Sequence, residues 1–224
     1  MSLNRRELLT AAAVSVLAGA AFTGAVLPRL VRPAKADTDA PEVDQAELAK
    51  PGPEGDVVLG SDKAPVTIIE YASMTCPHCA HFTATTFPEL QKRYIDTGKV
   101  RYIFREFPLD PLAAAGFMLA RCAGKDRYMA VVETLFAKQT DWIVKEPLAP
   151  LEEIAKQFGF TEESFSQCLT NQKVLDGIQA VRDRAAAKLG INSVPTFFVN
   201  GKKLVGDVSI EALAKEIDPY LKEG

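Results

Sequence analysis

The chain has 224 residues, 47% of them hydrophobic and 25% charged, with 14 Gly, 14 Pro and a formal net charge of −3. Those proportions exclude disordered, collagen-like and coiled-coil chains. Residues 1–36 hold five Lys or Arg and one acid, so removing them takes 26 bases and 29 acids to 21 and 28, a remainder of −7. That balance argues against a nucleic-acid partner, which would call for a basic face. The remaining length suits one domain, or one domain with an insertion, and can bury a sizeable core.

The first segment reads as an export signal. Arg5-Arg6 precede an uncharged run, Leu8 to Leu27, rich in Ala and Gly, and Ala34-Lys35-Ala36 follows as a small-x-small cleavage pattern. The paired arginines with Leu8-Leu9 behind them resemble a twin-arginine leader. An ordinary Sec leader is the plainer reading, and an uncleaved anchor is a third, because the run is just long enough to span a bilayer. Each places the rest of the chain outside the cytoplasm, in the periplasm, where disulfides persist. Residues 37–55 are acidic, rich in Pro and poor in large apolar side chains, and read as a flexible linker.

From Asp56 the pattern turns to strand. Val57-Val58-Leu59 is short, and Val66 to Tyr71 is a near-continuous β-branched run of the kind that is covered on both faces. Cys76-Pro77-His78-Cys79 then opens a helix carrying Phe82, Phe87, Leu90 and Tyr94 on one side, with Pro77 at a position where its missing N–H costs nothing and Pro88 as a kink. Val100 to Phe107 is a third strand. Residues 111–190 read as almost wholly helical, ending in the stripe Val174, Ile178, Val181, Ala185 and Leu189 before Gly190. Strand character returns at Thr196 to Val199 and Leu204-Val205 around an Asn200-Gly201 hairpin turn, and a last helix carries Ile210, Leu213, Ile217 and Leu221. This order is an α/β, thioredoxin-like fold: residues 56–110 and 191–224 form the thioredoxin-like part, with a helical domain, 111–190, inserted between its βαβ and ββα halves.

The chemistry centres on Cys76 and Cys79. Cysteines at i and i+3 in a first helical turn are close enough for a disulfide. The unpaired N–H groups and positive dipole end of the helix favour a negative charge on Cys76, so its pKa should fall, and His78 pushes the same way. A stabilised thiolate is a good leaving group, which favours the reduced protein and makes the disulfide an oxidant. Zinc is the competing reading of a C-x-x-C. A structural site needs four convergent ligands, and His78 and His81 are the only histidines, both in the same short stretch. Two buried structural cysteines are the remaining alternative.

The segment Glu70-Tyr71-Ala72-Ser73-Met74-Thr75-Cys76-Pro77-His78-Cys79 resembles the active-site segment of the DsbA family, the exported thiol oxidases of bacteria, and Ser193-Val194-Pro195-Thr196-Phe197-Phe198-Val199-Asn200-Gly201 resembles its second signature. The resemblance covers about residues 56–224. It implies catalytic roles for Cys76, Cys79, His78 and Pro77, a cis Val194-Pro195 bond facing the cysteines, and substrate pairing along Val194 and Pro195. It implies cysteine-containing exported proteins, unfolded or extended, as substrates, and a DsbB-like membrane thiol oxidase as the partner that removes the electrons. No cofactor or metal is implied. Without the resemblance, Pro195 reads as a trans proline marking a loop end, since cis is the minority form of an X-Pro bond.

Glu70 is an acid in an apolar strand. Buried, it would have a raised pKa and serve as a proton relay to Cys79, as the resemblance implies; otherwise it is a strand-end residue reaching solvent or pairing with Arg101 or Arg105. His81 reads as a surface residue, and Met74, Val194 and Pro195 as an apolar rim for substrates. Cys122 and Cys168, in an oxidising compartment and in contexts that resemble DsbA-like relatives with an additional pair, read as a structural disulfide whose loop length is worth about 4 kcal/mol; two free buried thiols are the alternative. Besides an oxidase, the sequence admits a disulfide isomerase or reductase, and a non-catalytic metal- or peptide-binding protein.

Overall fold

The run from Val66 to Ala72 (β2) is the spine of the sheet. It pairs in parallel with Val100–Glu106 (β3) on one side and antiparallel with Thr196–Val199 (β4) on the other. Val57–Leu59 (β1) lies outside β3 and Lys202–Val205 (β5) outside β4, giving the order β1-β3-β2-β4-β5. Every residue of β2 except Thr67 is buried, as a strand covered on both faces requires. The computed structural model describes residues 43–221, so the leader reading and the first part of the segment 37–55 lie outside the described residues.

The period-2 alternation of the strands sorts their side chains onto two faces. One face carries Ile68, Glu70, Tyr102, Phe104 and Phe197, and its aromatic rings meet helices: Phe197 packs on Phe82 of Pro77–Thr85 (α2) with centroids 4.6 Å apart, Tyr102 on Phe87 of Phe87–Leu90 (α3) at 5.2 Å, and Phe104 on Phe117 of Pro111–Cys122 (α4) at 6.2 Å. The helix after the cysteines stops at Thr86 and restarts at Phe87, with Pro88 in the new first turn, and a single π turn, Gln91–Ile95, follows. A proline in mid-helix removes a hydrogen bond and clashes with the preceding turn, which accounts for the break.

Between β3 and β4 the chain is helical: α4, then Lys125–Ala137 (α5), Gln139–Trp142 (α6), Leu148–Lys156 (α7), Glu162–Leu169 (α8) and Gln172–Leu189 (α9). The starts are capped by side chains. Asp110 accepts from Ala113 N at 2.8 Å, and Thr161 and Ser164 form a reciprocal capping box. Gly190 ends α9 in the left-handed region, φ 60°, where a Cβ would be costly. The β4–β5 turn has both Asn200 and Gly201 at positive φ, 45° and 88°, as a type I′ hairpin demands. Ile210–Leu221 (α10) closes the chain.

Residues 43–55 depart from the linker reading. Gln45–Ala49 is a helix (α1) capped by Asp44, and Leu48 is buried. Three arginines hold the backbone of this segment: Arg105 donates to Leu48 O at 2.8 Å, Arg184 to Lys50 O at 2.6 Å, and Arg121 to Gly55 O at 3.1 Å. The segment's own composition could not announce this, because its partners lie in β3, α4 and α9.

Candidate active site

Cys76 is the N-cap of α2 and Pro77 its first residue, so the N–H groups of the first turn face the Cys76 sulfur with none spent on the proline. Both cysteines are free thiols and buried; Cys79 has no exposed surface. The Cys76 thiol donates to Val194 O at 3.4 Å, and the Val194–Pro195 bond is cis. This contact brings the first segment of the sheet and the start of β4 together across 118 residues of chain.

The two sulfurs sit in opposite electrostatic conditions. Cys76 is lowered from an ordinary 9.0 to about 6, first by the hydrogen bond from the Cys79 thiol, against the opposing effect of burial, then by the N–H groups of Cys79 and His78 and by the nearby His78 ring. The helix start contributes as its dipole requires, yet the neighbouring thiol is the larger cause. Cys79 is pushed far up by burial, by its hydrogen bond to Cys76 and by the negative field of Glu70.

Glu70 has 1% of its surface exposed and stands opposite Phe104 on one side and Phe197 on the other. Burial lifts its pKa from 4.5 to about 8; a hydrogen bond from the Tyr102 hydroxyl to Oε2 opposes this, and the charge of Cys76 adds to it. Oε1 has no hydrogen-bond partner among the described residues. The readings of Glu70 as a solvent-reaching or arginine-paired residue are therefore overturned. Arg101 donates to Asp62 at 3.1 Å, and Arg105, on the other face of the sheet, is held by Asp56 at 2.8 Å. Tyr102 was not singled out in the sequence. Its signal was the alternation of β3, which puts it on the face of Glu70 one pair away.

Pro77 and His78 are exposed at the mouth of the site. His81 is exposed and pairs with Asp207 in the loop before α10. Met74 does not form a rim: it is fully buried beneath the reactive turn, where a side chain on Gly116 would meet it at 3.1 Å. An exposed apolar group beside the site is instead Leu109, 53% exposed, whose N–H donates to Ser73 Oγ at 3.2 Å. Asp110 accepts from Thr75 Oγ1 at 2.6 Å, tying the start of α4 to the residue before Cys76. In the helical block, Cys122 and Cys168 are disulfide-bonded, joining α4 to α8 with Cα atoms 6.1 Å apart.

The chain matches the Thioredoxin family model over residues 53–219. It is also similar to the crystal structure of Wolbachia pipientis alpha-DsbA1, with a TM-score of 0.74 and 34% identity over 80% of this chain and 97% of that one. The chain belongs to the DsbA family. It is similar as well to the crystal structure of BdbD from Bacillus subtilis, in its oxidised form, at a TM-score of 0.64 and 27% identity over 77% of this chain and 96% of that one. A putative protein-disulfide oxidoreductase of Rickettsia felis is 34% identical over 82% of this chain, which spans 66% of that protein's length. The DsbA-type arrangement, a thioredoxin-like sheet with helices placed between β3 and β4, is the fold described above.

Proposed function

We propose that this chain is a protein thiol:disulfide oxidoreductase acting in the oxidising direction on exported proteins. The observation that carries the reading is the inequality of the two sulfurs: Cys76 is lowered to about 6 while Cys79, buried beside Glu70, is pushed up. A low-pKa sulfur leaves easily and stabilises the dithiol over the disulfide, so the oxidised pair gives up its bond readily.

In the oxidised protein a substrate thiolate attacks Cys76, the sulfur nearer the surface. The Cys76–Cys79 bond breaks, a mixed disulfide forms, and Cys79 departs with the electron pair and takes a proton. The carboxyl of Glu70, with Oε1 unpaired among the described residues and a pKa of about 8, lies in the same buried region and would carry that proton. A second substrate thiolate then attacks the substrate sulfur of the mixed disulfide, and Cys76 leaves as a thiolate held by the Cys79 thiol and the first-turn N–H groups of α2. Two substrate thiols have become a disulfide, and the protein's disulfide has become two thiols. Val194 and Pro195 stand beside Cys76, where an extended substrate strand would lie. Reoxidation falls to a DsbB-like membrane thiol oxidase. The leader at residues 1–36, of twin-arginine or Sec type, supports a periplasmic location.

The test is the equilibrium of the purified protein with glutathione, together with its rate of oxidising a reduced peptide. A poise far more oxidising than thioredoxin's, about −270 mV, is expected. A value near thioredoxin's would make it a reductant, and tight metal binding without turnover a carrier. Cys76→Ser abolishes turnover.

A further inference from the structure

A side chain of the helical insertion reaches the backbone of the reactive turn. Gln139, the first residue of α6, directs its Nε2 to Met74 O at 2.8 Å and to Cys76 O at 3.0 Å. Both partners are carbonyls, so the amide is oriented by chemistry: only the NH2 end can serve two acceptors. These two carbonyls bracket Thr75 and Cys76, the stretch that must leave β2 and enter α2. Cys76 is extended, φ −83° and ψ 119°, and its N–H donates to Ser73 O at 3.0 Å, while its carbonyl also accepts the helical N–H of Ala80 at 3.2 Å.

Gln139 is itself firmly placed. Helix α5 ends at Ala137, Lys138 departs from helical geometry at φ −108° and ψ 21°, and α6 restarts at Gln139. Trp142, fully buried, anchors α6 and donates its indole N–H to Leu135 O at 2.8 Å. The break between α5 and α6 thus aims the amide at the turn, and the indole fixes it there. A charge–dipole interaction with the N–H groups of His78 and Cys79 depends on where the Cys76 sulfur sits, to within fractions of an ångström. A donor that fixes the Cys76 carbonyl also fixes the rotation of the residue that carries the sulfur.

We propose that Gln139 is a positioning residue for the cysteine pair: by clamping the carbonyls of Met74 and Cys76 it holds the Cys76 sulfur against the first-turn N–H groups of α2, so the insertion sets the oxidising strength of the thioredoxin-like part. The proposal rests on the oxidase reading above. Its competitor is a purely structural role, in which the amide satisfies a buried carbonyl and does nothing to the sulfur.

Three measurements separate these. Titration of thiolate absorbance in Gln139→Leu, which keeps bulk and removes both donors, is expected to place the Cys76 midpoint about one unit higher than in the unaltered protein, with the glutathione equilibrium about tenfold less oxidising. Gln139→Glu, which sets an acceptor and negative charge against two carbonyls and the thiolate, shifts both further in the same direction. In the unaltered protein, the side-chain amide resonances of Gln139 move with the Cys76 midpoint as pH is varied. Variants that lose only thermal stability while midpoint and equilibrium stay put overturn the proposal, as do Gln139 amide signals indifferent to the titration, a readout that survives even if a variant fails to fold. A Cys76 midpoint near the ordinary thiol value in the unaltered protein would defeat the oxidase reading instead, so the two failures are distinct.

Discussion

The molecule holds two cysteine pairs whose surroundings are opposite. Cys76 caps the N-terminus of α2, where N–H groups converge on its sulfur, whereas Cys122 is the last residue of α4 and Cys168 lies in the last turn of α8. A helix C-terminus presents carbonyls and the negative end of the dipole, and the Cys168 sulfur lies 3.2 Å from Met118 O. One pair is built to release a thiolate, whereas the other is bonded and sits at carbonyl-presenting helix ends. Chain length adds to the contrast: the α2 pair closes a loop of a few residues, while the second pair spans 46. The chain-entropy model gives more stabilisation to the longer loop. What sets the reactive pair apart is thus the Cys79 thiol first and the first-turn N–H groups second, acting on Cys76, together with the short stretch of chain the pair encloses.

Exchanging the roles is the severest test of this comparison. Removing the second pair with Cys122→Ala and Cys168→Ala is expected to lower global stability by about 4 kcal/mol and leave peptide oxidation running, measured by urea unfolding and turnover side by side. Loss of turnover at full folding would show that the second pair takes part in exchange. An effect of comparable size, confined to a pH window, comes from Glu70→Gln. The Glu70 carboxyl is raised above its ordinary 4.5 to about 8, so ionisation is penalised in the fold: the penalty is absent below about pH 4.5, grows as pH rises, and is complete above about pH 8. The variant therefore gains stability over the parent as pH rises through that window, by a few kcal/mol, and loses rate in the step that protonates Cys79. Parallel pH–stability curves for parent and variant would remove Glu70 from its buried, proton-holding role.

What could be read from the residues beforehand follows the range of the interactions. The β-branched run of β2, the Asn200-Gly201 turn, the stripe of α9 ending at Gly190 and the helix opening at the cysteine pair depend on neighbours within a few positions, and the periodicity exposes them. Burial of Glu70 depends on Phe104, Phe197 and Tyr102, which belong to other strands. Helix α1 falls in a segment that reads as linker because the arginines that donate to its backbone lie in β3 and α9, and α6, four residues long, carries no period of its own. Gln139 has no local signature: an amide in a helical stretch is ordinary until the fold brings it to two carbonyls.

The smallest effects separate two histidines on the active-site helix. His78 lies between the cysteines, and both its backbone N–H and its ring lower the Cys76 pKa, the ring being the last of the causes. His81, one turn later, is exposed and paired with Asp207, a contact of the surface type worth about 1 kcal/mol or less. His78→Ala removes only the ring and keeps the N–H, so the Cys76 midpoint should rise by a fraction of a unit. His81→Ala should leave it unmoved while costing a little thermal stability. Absorbance titrations of the two variants decide the matter: equal shifts would mean that charge anywhere along α2 governs the thiolate, and a shift at His78 alone means that the field acts at contact range, as the Cys79 thiol and the two first-turn N–H groups already do.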